Sequence, residues 1–264
     1  MKSANFLTAI DALGGDEVPR VWSLIITVFG DLAQQKGEDI AGPVLGELLA
    51  PVGVRPEAMR VALHRLRNEG WIETSKQGRT ARHALSIFGL EQSAAASEQI
   101  YGKALVADPE WHILCFASNT TSSEQTRGKT LAQRGYVKAT NGIYIKNSAC
   151  DDLVDDALIL QGDVKNIPPW LSGSLAPNPL RAGFKQLSKT LSDLSIDPIF
   201  ARELTALQTA TLRTLIVHRW RKLVLKLPLV PDALFGDGFE GTQCRNQVLS
   251  ILTLLERPNI SDLT

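Results

Sequence analysis

VGVRPEAMRVALHRLRNEGWIETSKQGRTARHALS, residues 52–86, is the stretch on which the fold turns. Gly53 interrupts the pattern that precedes it, Pro56 stands where a first helical turn tolerates a residue without an N–H, and Gly70 ends the run. Between them Met59, Ala62, Leu63 and Leu66 fall at i, i+3, i+4 and i+7, the spacing of one buried helical stripe. At about 100° per residue the opposite side holds Glu57, Arg60, Val61, His64 and Asn68, flanked by Arg65 and Arg67. Beyond Gly70, WIETSK (71–76) and TARHALS (80–86) alternate as strands do around Gln77–Gly78, a tight-turn pair. Lys76, Arg79 and Arg82 then charge the tip of a hairpin, a place from which a basic side chain reaches phosphates or a minor groove.

Upstream, VPRVWSLIITVFGDLAQQ (18–35) puts Pro19 at a first helical position and Val21, Leu24, Ile25, Val28, Phe29 and Leu32 at helical spacing. PVLGELLA (43–50) predicts a shorter helix, and APVGV (50–54) a turn into the next one. Two apolar-faced helices joined by a tight turn, the second exposing Arg, His and Asn, fit a helix-turn-helix that reads the major groove, and the basic hairpin behind it fits a wing. In that reading Arg60, His64 and Asn68 meet base edges, while Arg55, Arg65, Lys76, Arg79 and Arg82 hold phosphates.

The rest of the composition is ordinary for a folded chain. Of 264 residues, 44% are hydrophobic and 21% charged, with 28 Lys and Arg against 28 Asp and Glu. Within 55–82, seven basic residues stand against three acidic ones, a surplus of +4 inside a chain of zero net charge. A neutral protein with one compact basic segment still attracts phosphate locally. Three scattered cysteines (Cys115, Cys150, Cys244), no CxxC and no metal-type histidine spacing predict neither a disulfide framework nor a zinc site, and fit the reducing cytoplasm. MKSANFLTAIDALGGDEV, at the N-terminus, carries acids and no long apolar run, so neither a signal peptide nor a membrane span is expected.

The middle of the chain predicts a small α+β unit. A helix over 86–105 is followed by a boundary at Asp108–Pro109 and an apolar strand, WHILCFAS (111–118). Ser122 and Gln125 have capping-box spacing, and the basic helix they open runs to Gly135. YVKAT and IYIKN flank Asn141–Gly142, a strong hairpin signal, and DALILQG (156–162) reads as a last strand. Any second crossover helix has to lie in the short run NSACDDLV (147–154). Further on, Asp197–Pro198 is expected to open one long helix through IFARELTALQTATLRTLIVHRWRKLVL.

The run from Gly53 to Trp71 with the G-R-x-x-R hairpin (78–82), together with LRTLIVHRWRKLVLKLPLVPDALFGDGFEGTQC (212–244), resembles the PaaX-type regulators, bacterial repressors of phenylacetate catabolism genes and their relatives. The resemblance implies a winged helix-turn-helix over 1–105, a central ferredoxin-like domain similar to Cas2 over 108–175, and a helical C-terminal domain over 176–264. It also implies homodimers on double-stranded operator DNA, released by an aryl-acyl-CoA effector. Arg213, His218, Arg219 and Arg221, near the end of the long C-terminal helix, are the residues expected to receive such an effector, Arg offering a planar donor fork to phosphate.

Catalytic patterns are sparse. There is no GxSxG elbow and no phosphate-binding GxxxxGK[ST] loop. Gly236-Asp237-Gly238-Phe239-Glu240-Gly241 matches GxGxxG in letters, but its two acids repel a pyrophosphate and prolines interrupt the upstream strand, so it reads as a turn. A metal-dependent nuclease or thioester hydrolase, targeted by the winged module, is the alternative; its metal candidates are Asp151, Asp152, Asp155 and Asp156. No cofactor and no enzymatic activity are expected, and Trp111 and Trp170 are expected to pack in a core or interface.

Overall fold

A computed structural model describes residues 2–15, 20–117, 121–148 and 154–263. In chain order the first elements are α1 (Lys2–Gly14), α2 (Val21–Leu32), β1 (Ile40–Ala41), α3 (Gly42–Leu49), α4 (Pro56–Asn68), β2 (Ile72–Gln77), β3 (Thr80–Leu85) and α5 (Ile87–Tyr101). The central elements are β4 (Trp111–Phe116), α6 (Thr121–Gln133), β5 (Val137–Thr140), β6 (Ile143–Lys146) and β7 (Ala157–Gly162). The chain continues through α7 (Pro169–Leu175), α8 (Asn178–Leu194), α9 (Pro198–Glu203), α10 (Ala206–Val224) and α11 (Glu240–Leu254). Helices with two small antiparallel sheets make this an α+β protein. No helix of the described residues is long and apolar enough to cross a membrane.

The chain divides into two compact units, Met1–Gly102 with Gln186–Leu225 and Cys244–Thr264, and Lys103–Lys185 with Lys226–Gln243. The stretch 176–264, read from sequence as a domain by itself, therefore contributes to both. The reason lies in α10. Leu212, Leu215, Ile216, Val217, Trp220 and Val224 leave it apolar almost all round, so it must be covered on every side. α1, α2, α3 and α5 cover it. Thr211 donates to the carbonyl of Leu48 on α3 at 3.0 Å, and the Trp220 indole N–H to the carbonyl of Ile100 on α5 at 2.8 Å. α1 packs Phe6, Ala9, Ile10 and Leu13 into the same unit.

Within this unit α2, α3 and α4 form as the pattern predicts, with Pro43 in the first turn of α3 and a single 3-10 turn (Ala50–Val52) closed by Gly53 at φ 80° before α4. Arg20 is the residue before α2; Pro19, expected at its first position, lies outside the described residues. The hairpin joins a three-stranded sheet in the order β1-β3-β2, with the two-residue β1 pairing Ile40 to His83 and Ala41 to Arg82. Gln77 pairs with Thr80, so the two-residue turn is Gly78–Arg79, one step later than Gln77–Gly78. Gly78 takes φ 63°, the left-handed conformation that the first turn position requires, and Gln77 stays in the ladder.

The expected long helix from Pro198 is two helices. Asp197 caps α9, and the chain then leaves helical geometry at Leu204–Thr205. Thr205 accepts from the backbone N–H of Gln208 and the Gln208 side chain accepts from that of Thr205, a capping box that opens α10.

The second unit holds a four-stranded sheet in the order β5-β6-β4-β7, every neighbouring pair antiparallel. Leu114, Leu131, Tyr136 and Tyr144 form its buried centre, and Ala157 and Ile159 of β7 pack against it. Gly142 turns the β5–β6 hairpin at φ 74°, where a Cβ would stand 2.8 Å from the Phe116 carbonyl. The Ser122 cap falls at a side chain outside the described residues, as do Cys150, Asp151, Asp152 and most of the run in which a crossover helix was expected. Gly236 and Gly238 have positive φ and turn the chain before α11, as the acidic GxGxxG letters imply. Trp111 is buried, whereas Trp170 is 57% exposed and packs in no core.

Candidate nucleic-acid interface

α4 is anchored by one face and offers the other to solvent. Ala62, Leu63 and Leu66 are buried, while Arg55, Glu57, Arg60, Val61, His64, Arg65, Arg67 and Asn68 are all exposed. Arg60 lies 3.5 Å from Glu57 one turn earlier, an exposed pair that contributes little stability and opens at small cost. Asn68 and His64 stand 3.3 Å apart, side chain to side chain, on the same outward row. Arg60, His64 and Asn68 thus share one solvent-facing strip at i, i+4 and i+8. A bidentate donor, an imidazole and a carboxamide in a row can form paired hydrogen bonds with purine edges.

Among the described residues the flanking cations divide into unpaired and engaged groups. Arg55 is the exposed residue immediately before α4 and makes no side-chain cap. Lys76 and the turn residue Arg79 are exposed at the hairpin tip. Arg65 is held, with Nε 2.7 Å from Glu69 and its guanidinium 5.1 Å from the centre of the Trp22 ring. Arg82 is tied more firmly. Its Nε donates to Asp39 at 2.6 Å and its Nη2 to the Asp39 carbonyl at 3.3 Å, joining β3 to the segment before β1. The Asp39 carboxylate raises the Arg82 pKa through that hydrogen bond. Arg82 is therefore a brace of the hairpin's base, and its partner 43 residues upstream gave no local signal.

Arg67 enters this surface although the motif assigned it no role. It is exposed and forms no ion pair among the described residues, and its charge, after burial, is what lowers the pKa of His83 inside the hairpin. Its place at i+7 from Arg60 was the available signal. Buried His83 accepts or donates one hydrogen bond to the Thr74 hydroxyl at 2.9 Å, so β2 and β3 are joined by side chains as well as by their ladder.

The four residues expected to take an effector do not form one site. Arg213 is 4% exposed and wholly engaged, with Nε and Nη2 donating to the two Asp31 oxygens at 2.9 and 2.8 Å and Nη1 donating to the carbonyls of Leu252 and Leu255. His218 is 3% exposed. The Thr27 hydroxyl donates to the Ser23 carbonyl at 2.9 Å and so accepts from Nδ1–H of His218 at 3.0 Å. Burial, then the charges of Arg221 and Lys222, push the imidazole pKa down to about 3. Arg219 donates to the Ala12 carbonyl at 3.1 Å. Arg221 lines a cavity between α2, α5 and α10. Cys244 is buried and its thiol is pushed up to about 11, chiefly by that burial.

Two family descriptions match this chain, "PaaX-like protein" over residues 20–88 and "PaaX-like protein C-terminal domain" over 178–258. Among characterised relatives it is 26% identical over 247 residues to the "Transcriptional repressor PaaX" of Escherichia coli strain K12, covering 87% of this chain and 78% of that one. Among solved structures it is similar to the "Uncharacterized protein Rv0674 from Mycobacterium tuberculosis", with a TM-score of 0.54 and 18% identity over 88% of this chain and 94% of the other. That likeness concerns the fold alone.

Proposed function

The chain belongs to the PaaX-like family, and from that premise we propose that it is a DNA-binding transcriptional repressor of a phenylacetate-type catabolic operon. In this reading α2, α3, α4 and the β2–β3 hairpin are a winged helix-turn-helix. Its recognition helix lays Arg60, His64 and Asn68 into a major groove while Arg55, Lys76 and Arg79 hold phosphates. The strand order β5-β6-β4-β7, with α6 between β4 and β5, supports reading the second unit as a ferredoxin-like, Cas2-like domain. Two copies then present two recognition helices to the half-sites of a pseudo-palindromic operator. An acyl-CoA-type effector releases them by binding more tightly to a dimer whose helices are misaligned with those half-sites.

The observation that carries this reading is the outward row Arg60–His64–Asn68 on a helix whose other side is fixed by buried Leu63 and Leu66. Selection of bound fragments from the source genome tests it. A discrete, inverted-repeat site is expected, with log affinity falling linearly against log salt by about 0.9 for each phosphate held. No enriched fragment, or retention indifferent to salt, would overturn it and favour a protein-binding role for the same module. Added acyl-CoA esters are expected to release the complex.

A further inference from the structure

Arg221 is a cation in a place that calls for an anion. It lies about two turns from Arg213 on the same helix, α10, and the two differ sharply in their surroundings. Arg213 is saturated by Asp31 and two carbonyls. Arg221 is partly buried, forms no ion pair among the described residues, and makes one hydrogen bond, from Nη2 to the Ser23 hydroxyl at 3.3 Å. A guanidinium has five N–H donors, and one withdrawn from water without a carboxylate is costly. Its desolvation lowers its pKa, in keeping with that cost.

Beside it opens a cavity of about 220 Å³ between α2, α5 and α10. Ile26, Ala96, Ile100, Val217 and Leu225 give it apolar walls, and Arg221 is the charged group among its lining residues. All of these belong to one compact unit. The volume accommodates an aromatic ring or a short aliphatic chain, and the lining places one cation beside that apolar space. Pockets of this composition hold an apolar body and orient it through a few polar groups.

We propose that this cavity is a binding site for a small apolar carboxylate, its anionic end on the Arg221 guanidinium and its body among Ile26, Ala96, Ile100 and Val217. The carboxylate accepts two N–H bonds from the guanidinium in the bidentate manner, supplying the counter-charge that no described residue provides. The site is distinct from the acyl-CoA action described above. It needs no nucleotide-bearing ligand, and its occupancy is read on the protein without DNA. Its lining includes Trp71, whose backbone N–H donates to the Leu66 carbonyl at 2.9 Å where α4 gives way to β2.

The test is calorimetric titration of the full chain with benzoate, hexanoate and the neutral isostere benzamide. Benzoate and hexanoate are expected to bind saturably, one per chain, and benzamide at least tenfold more weakly. Arg221→Gln is expected to lose benzoate binding at least tenfold, and Ala96→Leu, which fills the cavity without touching the charge, to lose it as well. Equal binding of benzoate and benzamide, no saturable carboxylate binding up to 10 mM, or unchanged binding in folded Arg221→Gln would each overturn the proposal. Should Arg221→Gln fail to fold, the benzoate and benzamide comparison on the unaltered chain decides. Operator affinity of the unligated chain, measured alongside, distinguishes failure of this site from failure of the DNA reading.

Discussion

Asp31 is fully buried and shares both its oxygens with Arg213, which lies 182 residues away in sequence. Removing one partner leaves the other charged and buried without its counter-charge, with only neutral hydrogen-bond partners, the Tyr101 hydroxyl for Asp31 and the Leu252 and Leu255 carbonyls for Arg213. Asp31→Ala is therefore expected to destabilise the fold by about 3–5 kcal/mol in urea unfolding, far more than loss of the exposed Arg60–Glu57 pair. Replacing both members by apolar residues of similar volume should recover most of that loss. His218 supplies the pH dependence. Its folded pKa, about 3, lies below the ordinary 6.5, so the unfolded chain binds the proton first. Stability is then complete above pH 6.5 and falls as pH drops towards 3, by about 1.4 kcal/mol per pH unit for one proton. Urea midpoints between pH 4.5 and 7.5 check this, and His218→Gln should flatten the slope whatever it does to the stability at pH 7.5. Neither residue announced its role locally. An apolar helix with an Arg and a His in it reads the same whether those side chains face solvent, ligand or an aspartate from another helix.

At the scale of elements, α4 and its hairpin were the most legible parts. Their buried stripe, terminal Pro and Gly and alternating strands are all local signals, and they agree with one another. The hairpin's cations are expected to act on the phosphate backbone, so Lys76→Ala with Arg79→Ala should weaken all duplexes alike and reduce the slope of log affinity against log salt by about 2. Loss confined to the specific site would make the hairpin a base reader instead. The junction behind the hairpin is tight. A Cβ on Gly89 would stand 2.2 Å from the Trp71 carbonyl, which already accepts from the Ser86 N–H at 3.0 Å. Gly89→Ala is expected to push α5 off the start of β2, costing about 1–3 kcal/mol and lowering the melting temperature of the whole unit. Where sequence reading erred, the signals were weaker or competing. The break before α10 rests on Thr205 and Gln208, a capping box inside an otherwise continuous helical pattern, and β1 is too short for any periodicity. The Gly78–Arg79 turn differs from Gln77–Gly78 by one residue, which only the pairing register decides.

For the whole molecule, zero net charge conceals a locally basic segment, because the surplus of 55–82 is balanced by acids elsewhere. That helices and small antiparallel sheets alternate along the chain was legible, but their assembly was not. Burying α10 among α1, α2, α3 and α5 is a long-range consequence of its apolar girth, and no spacing within the helix names its partners. The same holds for the candidate site. The outward row on α4 follows from helical period, whereas the withdrawal of Arg82 to Asp39 and of Arg213 to Asp31 required the folded chain. The central claim, that this row reads bases, is tested most directly by measuring Arg60→Ala and the unaltered chain against the selected operator and a scrambled duplex of equal length at one salt concentration. A loss of roughly 1–3 kcal/mol on the operator, with relaxed preference at one base pair and little change on the scrambled duplex, is predicted. Unchanged operator affinity, or the same loss on both duplexes, would contradict it.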